Sequence, residues 1–158
     1  MKRQWKMKSK IGDIYLVASV RGLSGILWSR QPTAMSESLE GDDPTLAILK
    51  RTVVQLEEYF RGERREFDLP LDIEGTEFQK QVWRQLARIP YGQTCSYSDI
   101  ARRLKRDKAV RAVGTANGRN LLSIVVPCHR VIAADGTLGG YSGGLPVKRE
   151  LLALERAT

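Results

Sequence analysis

The sequence predicts an α+β protein in two parts: a β-rich first part with an antiparallel sheet, and a mostly helical second part with a helix-turn-helix. Three observations predict it. Two short apolar runs, Ile14 to Ser19 and Leu23 to Trp28, are separated by Val20-Arg21-Gly22, which is a hairpin signal. Two short helical stretches beyond Ser96 are joined by a tight polar turn. The charge is also unevenly shared. Residues 1–74 hold 12 Lys+Arg and 12 Asp+Glu, whereas residues 75–158 hold 14 and 6, so the whole net charge of +8 lies in the second half.

The elements follow in order. Gln31 to Asp42 is polar and reads as a loop. Asp43-Pro44 opens a helix, because Asp caps well and Pro suits the first helical position. Leu46, Leu49, Val53, Leu56 and Phe60 then form one apolar stripe, and Arg61-Gly62 ends it. Arg65 to Leu69 is a candidate strand. The segment Pro70 to Gly75 is the expected boundary, giving domains 1–72 and 75–158. Thr76-Glu77-Phe78-Gln79 is a capping-box pattern, and Phe78, Val82, Trp83, Leu86 and Ile89 make the buried face of that helix. Ser96 caps a helix through Ile100, Ala101 and Leu104. A second helix runs from Ala109 to Asn117 and is ended by Gly118. Leu121 to Val126 reads as a short β-type run leading into Pro127-Cys128-His129-Arg130. A glycine-rich segment, Gly136 to Gly144, precedes a closing helix from about Pro146 with Leu151, Leu152 and Leu154 apolar.

Composition narrows the classes of function. At 42% hydrophobic and 28% charged, the 158-residue chain reads as a soluble globular protein. It has no run long and apolar enough to span a membrane and no secretory signal, so a cytoplasmic, nucleoid-associated location is expected. The basic half suits a polyanion, although a solvated basic face would account for it equally well. With only Cys95, Cys128 and His129 as soft ligands, no structural metal is expected.

Cys128 lies beside the chain's single histidine. A thiol becomes a strong nucleophile as thiolate, which needs a base or a positive charge nearby, and His129 or Arg130 could supply either. The alternative is an inert buried Cys, which is how Cys95 reads. The second helix of the helix-turn-helix is also unusual. Ala112, Gly114, Thr115 and Ala116 are small, and Gly114 costs the helix about 1 kcal/mol against Ala. Either it packs tightly on a neighbouring helix, or it is pressed into a narrow DNA groove. Arg111 is its one long residue, which suits a sequence-independent binder that inserts a side chain into the base stack.

Residues Pro127 to Val131 resemble the Pro-Cys-His-Arg-Val signature of the O6-alkylguanine-DNA alkyltransferases. Ser96-Tyr97, Arg111 to Gly114, Asn120, Gly140-Tyr141-Ser142-Gly143-Gly144, Lys148 and Leu151 to Glu155 fall in family order around it. The resemblance implies a ribonuclease-H-like N-terminal domain and a winged-helix-like C-terminal domain. The activity it implies is stoichiometric, irreversible alkyl transfer from O6-alkylguanine, and from O4-alkylthymine, in flipped-out DNA. It implies double-stranded DNA approached through the minor groove as partner, a monomer able to bind DNA cooperatively, no membrane and no cofactor.

The resemblance also implies roles. Cys128 would accept the alkyl group, His129 would be its base through a water, and Glu155 would orient His129. Asn120 would brace the helix-turn-helix against the active-site segment. Arg111 would fill the gap left by the extruded nucleotide, with Ala112, Gly114 and Thr115 against DNA. Read from its position alone, Arg119 either contacts phosphate or is an ordinary exposed Arg after a helix C-cap. Tyr97 would turn the phosphate and bond the flipped base. Tyr141 and Ser142 would form a lid, and the Val131 carbonyl would accept from the guanine amino group. Two rivals are a cysteine hydrolase using Cys128 and His129, and a non-catalytic DNA-binding module. Adjacent Cys-His is poor for the first, and the presence of Cys128 argues against the second.

Overall fold

The computed structural model of the protein describes residues 1–157. Its chain divides into two units, Met1–Glu74 and Gly75 onward. In the first, strands β1 (Arg3–Ser9), β2 (Gly12–Ser19), β3 (Gly22–Leu27) and β4 (Ala34–Met35) form a sheet in the order β3-β2-β1-β4. Neighbours run antiparallel except β1 and β4. Helix α1 (Pro44–Phe60) covers the sheet, and Leu46, Leu49, Leu56 and Tyr59 meet Ile14, Leu16, Leu23 and Ile26 in the core. Asp43 caps α1 by accepting from the Thr45 amide at 2.9 Å.

The structure corrects two expectations in this unit. The polar stretch 31–42 contains β4, drawn to β1 by the buried Gln4. The Gln4 amide donates to the Gln31 and Thr33 carbonyls at 2.9 and 3.1 Å, and its oxygen accepts from the Gln31 amide. Arg65 to Leu69 is not a strand. The side chain of Gln55 takes both backbone groups of Asp68, each at 2.9 Å, so the segment needs no ladder to satisfy them.

The second unit carries the site. Helix α2 (Glu77–Leu86) starts with the Thr76–Gln79 capping box. Strand β5 (Cys95–Ser96), α3 (Tyr97–Arg103) and α4 (Val110–Gly118) follow, then a 3-10 turn (Cys128–Arg130), β6 (Val131–Ile132) and α5 (Leu145–Ala157). Strands β5 and β6 pair in parallel, Cys95 opposite Val131. Val82, Trp83, Leu86 and Ile89 are buried with Ile100, Val113 and Leu151. Phe78, expected in that core, is only half-buried and lies under the Arg106 guanidinium at 5.6 Å. Gly118 is the last residue of α4 and Arg119 caps it, one position later than expected. The Trp83 indole donates to the Ala116 carbonyl at 2.9 Å and fixes α4 on α2.

Candidate active site and nucleic-acid interface

Cys128 is presented by a turn, which corrects the expected strand over Leu121 to Val126. The Asn120 amide donates to the Val126 carbonyl at 2.8 Å, and its oxygen accepts from the Leu122 amide at 3.0 Å. One side chain thus takes backbone groups from both ends of the segment and curls it. Val126 N donates to Leu122 O at 2.9 Å, and Ile124 is forced to φ 74°. A β-branched residue there is strained, and its side chain is buried.

The curl delivers Cys128, 2% exposed, to a cleft of about 470 Å³. Tyr97, Gly114, Asn117, Gly139, Gly140, Tyr141 and Ser142 also line it. Burial pushes the Cys128 thiol up, while hydrogen bonds from Asn120 and Ser123 and the positive charge of Lys148 pull the other way. Burial likewise raises Tyr97 and Tyr141, so both stay phenols able to donate. Gly139 has φ +71°, and a Cβ there would stand 2.7 Å from the Tyr97 hydroxyl, so this turn admits only glycine.

Behind Cys128 lies a buried ionic cluster. His129 Nε2 is 2.7 Å from Glu155 Oε2. Burial pushes His129 below its ordinary 6.5, against the pull of Glu155. Glu155 is also penalised by burial, but hydrogen bonds from His129 and Arg130 outweigh this and hold it at about 2. His129 Nδ1 is buried and has no hydrogen-bond partner among the described residues. Arg130 does not serve Cys128, contrary to one sequence expectation. Its Nε donates to Glu155 Oε1 at 2.8 Å and its Nη2 to Oε2 at 3.0 Å.

The cation beside the thiol is Lys148, which sequence reasoning gave no role. It is fully buried, and its ammonium donates to the Val131 carbonyl at 2.8 Å, to Gly140 at 3.1 Å and to Leu138. Burial lowers it to about 8, opposed by Cys128. A signal for it was present. Lys148, Leu151, Leu152 and Glu155 are spaced i, i+3, i+4, i+7, so two charged residues occupy the apolar stripe of α5.

Not every expected site residue joins the cleft. Arg111, Ala112, Thr115 and Arg119 are exposed together on the outer face of α4, next to Gly118, which also lines the cleft. Arg111, Ala112 and Thr115 border a separate shallow groove with Phe78 and Lys108. Gly114 lies at the edge of the cleft. A Cβ there would meet only Tyr97 Cδ1, at 3.9 Å, an ordinary contact. Tight packing on neighbouring protein therefore does not explain its glycine. Cys95 is buried in β5 with its thiol raised by burial, the reverse of activation.

Two family models match the chain end to end. Residues 3–73 match the 6-O-methylguanine DNA methyltransferase ribonuclease-like domain, and residues 77–157 match the DNA binding domain of the same enzymes. The chain belongs to the 6-O-methylguanine DNA methyltransferase family. It is 57% identical over 150 residues to a methylated-DNA–protein-cysteine methyltransferase of Methanosarcina acetivorans, covering 94% of each. It is 50% identical over 129 residues to one from Mycolicibacterium paratuberculosis, covering 82% of this chain and 70% of that protein. Among solved structures it resembles Mycobacterium tuberculosis OGT in complex with DNA, at TM-score 0.85 and 42% identity over 98% of this chain and 93% of that one. A Methanococcus jannaschii O6-methylguanine DNA methyltransferase aligns with TM-score 0.64 and 30% identity over 97% and 93%. As a methyltransferase of this family, the chain has both its units accounted for. No helix among the described residues is long and apolar enough to cross a membrane.

Proposed function

We propose that this protein repairs DNA by moving an alkyl group from O6 of guanine, or O4 of thymine, onto Cys128, once per molecule. The observation that carries the mechanism is the setting of Cys128. A buried thiol faces a base-sized cleft, and a His–carboxylate pair sits behind it with one ring nitrogen unengaged. Because burial keeps the thiol protonated, a base must remove the proton as the sulfur attacks. His129 Nδ1, through a water, takes it, and Glu155 stabilises the imidazolium that results.

The sulfur then displaces guanine at the alkyl carbon. A C–S bond forms, the C–O bond breaks, and the electron pair leaves on the guanine oxygen. Tyr97 and the Ser142 amide donate to the departing base, and the Val131 carbonyl, already bound by Lys148, offers its second lone pair to the guanine amino group. The product is a thioether that no residue of the cleft can hydrolyse, so the protein is spent.

The exposed face of α4 suits the minor groove of duplex DNA. Between Arg111 and Arg119 it presents only Ala112, Thr115 and Gly118, and it lacks the long polar side chains that read bases in the major groove. Arg111 occupies the gap when the nucleotide is extruded. The +8 charge confined to the second half supplies phosphate attraction without sequence preference, and the protein acts as a monomer in the cytoplasm.

The test is incubation with a duplex carrying O6-methylguanine, followed by intact-mass measurement. Mass should rise by one methyl group at a plateau of about one equivalent, with the label on the Cys128 peptide. Continued turnover with excess substrate would point to a hydrolase, and no mass change with retained DNA binding to a non-catalytic binder.

A further inference from the structure

Arg130 takes no part in the bond-making and bond-breaking of alkyl transfer, yet it is 6% exposed and its charged contacts all go to the relay carboxylate. Besides its two bonds to Glu155, Nη1 donates to the Ile89 carbonyl at 2.8 Å, and the guanidinium lies 5.6 Å from the Tyr91 ring centroid. Glu155 Oε1 also accepts from the Gly92 amide at 3.4 Å. Four N–H groups therefore converge on one carboxylate: Arg130 Nε and Nη2, His129 Nε2 and Gly92 N. An oxygen pair so occupied has no room for a proton of its own. The hydrogen of the His129–Glu155 bond then belongs to Nε2, and the lone pair falls on Nδ1.

We propose that Arg130 is a positioning residue for alkyl transfer: its two-point clamp keeps Glu155 ionised and aligned, so that His129 rests as the neutral Nε2–H tautomer with Nδ1 open to a proton. The proposal rests on reading His129 as the proton acceptor for Cys128. Without the guanidinium, His129 would be the nearest cation available to a buried carboxylate. The pair would settle as imidazolium and carboxylate, with both ring nitrogens protonated and nothing left to receive the thiol proton. Arg130 neutralises Glu155 first and repels a second positive charge at the ring. The charged groups facing His129 are Glu155 and Lys148 from α5 and Arg130 from its own turn, and Lys148 acts in the same direction as Arg130. Helix α2, packed on the same turn, turns Val82, Trp83 and Leu86 inward.

His129 is the only histidine in the chain, so its ring gives one set of NMR signals. In the parent protein the ring nitrogens at pH 7 should show the neutral Nε2–H tautomer. In Arg130→Met the midpoint should rise by about one pH unit or more, and Arg130→Lys, which keeps a charge but loses the fork, should lie between. Transfer from free benzylguanine should follow: the acid limb of the pH–rate profile moves up with the NMR midpoint, and Arg130→Met recovers above it. A rate lowered by the same factor at every pH, with the His129 midpoint unmoved in either variant, overturns the proposal and leaves Arg130 a merely structural residue. A midpoint that moves while the rate ignores it sinks His129 as the acceptor, and Arg130's role with it; the moved midpoint tells that failure from the first. If Arg130→Met does not fold, Arg130→Lys decides by the same two measurements.

Discussion

Both units bury polar side chains, but only the second buries a cluster of ionisable ones. In the first unit Gln4 and Gln55 are neutral amides, and their hydrogen bonds go to backbone groups of their own unit. Its one buried carboxylate, Asp72, accepts from the Ser19 hydroxyl at 2.6 Å and faces the exposed Arg21. The second unit buries neutral Asn117, Asn120 and Ser123 too, but adds an ionisable cluster of Cys128, His129, Arg130, Lys148 and Glu155, and His129 Nδ1 and Asn117 Oδ1 are left without partners among the described residues. Polar burial that satisfies every atom fixes a chain path. Polar burial that leaves a lone pair open at a cleft prepares a reaction. The cost of an unmet buried group, about 1–3 kcal/mol, is tolerated where chemistry uses it.

The largest effect that could break this contrast is at the acceptor. Cys128→Ser should abolish transfer, measured by intact mass, while duplex affinity stays near the parent value, because the exposed face of α4 is untouched. Arg111→Ala should slow repair of alkylguanine in duplex DNA by about tenfold to a hundredfold, since extruding a base costs a few kcal/mol that the side chain partly offsets. Its reaction with free benzylguanine should barely change. An equal drop on both substrates would make Arg111 a residue of the fold.

The ionic cluster also predicts acid sensitivity. Glu155 is held at about 2 against an ordinary 4.5, so its contribution to stability is complete above about pH 4.5 and is lost as pH falls toward 2. His129 lies below its ordinary 6.5, so the unfolded chain takes that proton first and stability starts to fall below about pH 6.5. Denaturant titrations that stayed flat between about pH 7 and 5 would contradict the His129 claim, and ones that stayed flat between about pH 4.5 and 2 the Glu155 claim.

Smaller effects separate the units further. Gln55→Ala should lower stability by about 1 kcal/mol through the lost hydrogen bonds to the Asp68 backbone, yet leave the benzylguanine rate per folded molecule unchanged. Gly114→Ala should raise stability by up to about 1 kcal/mol, because the helix gains propensity and a Cβ meets nothing closer than 3.9 Å. It should also weaken duplex binding, measured by anisotropy. A gain in stability without that loss would mean that DNA does not press against Gly114.

Elements announced by neighbours in sequence were legible. The Asp43 cap and the Thr76–Gln79 box need only three or four residues to declare themselves, and the hairpin needs only its turn. Strand β1 was missed because, among its seven residues, only Gln4 and Met7 are buried, and its other positions are mostly polar. Leu121 to Val126 read as a strand because its composition is apolar; its curl depends on the side chain of Asn120, which local propensity does not register. Cys128, His129 and Glu155 came from motif. The partner of Arg130 lies 25 residues away, and nothing adjacent in sequence separates a guanidinium serving the thiol from one serving a carboxylate.

Ile124 gives the acceptor a safeguard. A strained β-branched turn has no local reason to form, and it closes only when Asn120 grips both its ends and the core accepts its side chain. Cys128 is therefore not a nucleophile by birth. In a nascent or partly unfolded chain it is an ordinary thiol, with His129 next to it in sequence but no Lys148, Glu155 or cleft around it. A protein that can act only once thus completes its acceptor site only as the fold closes, and the same closure buries the thiol away from stray electrophiles.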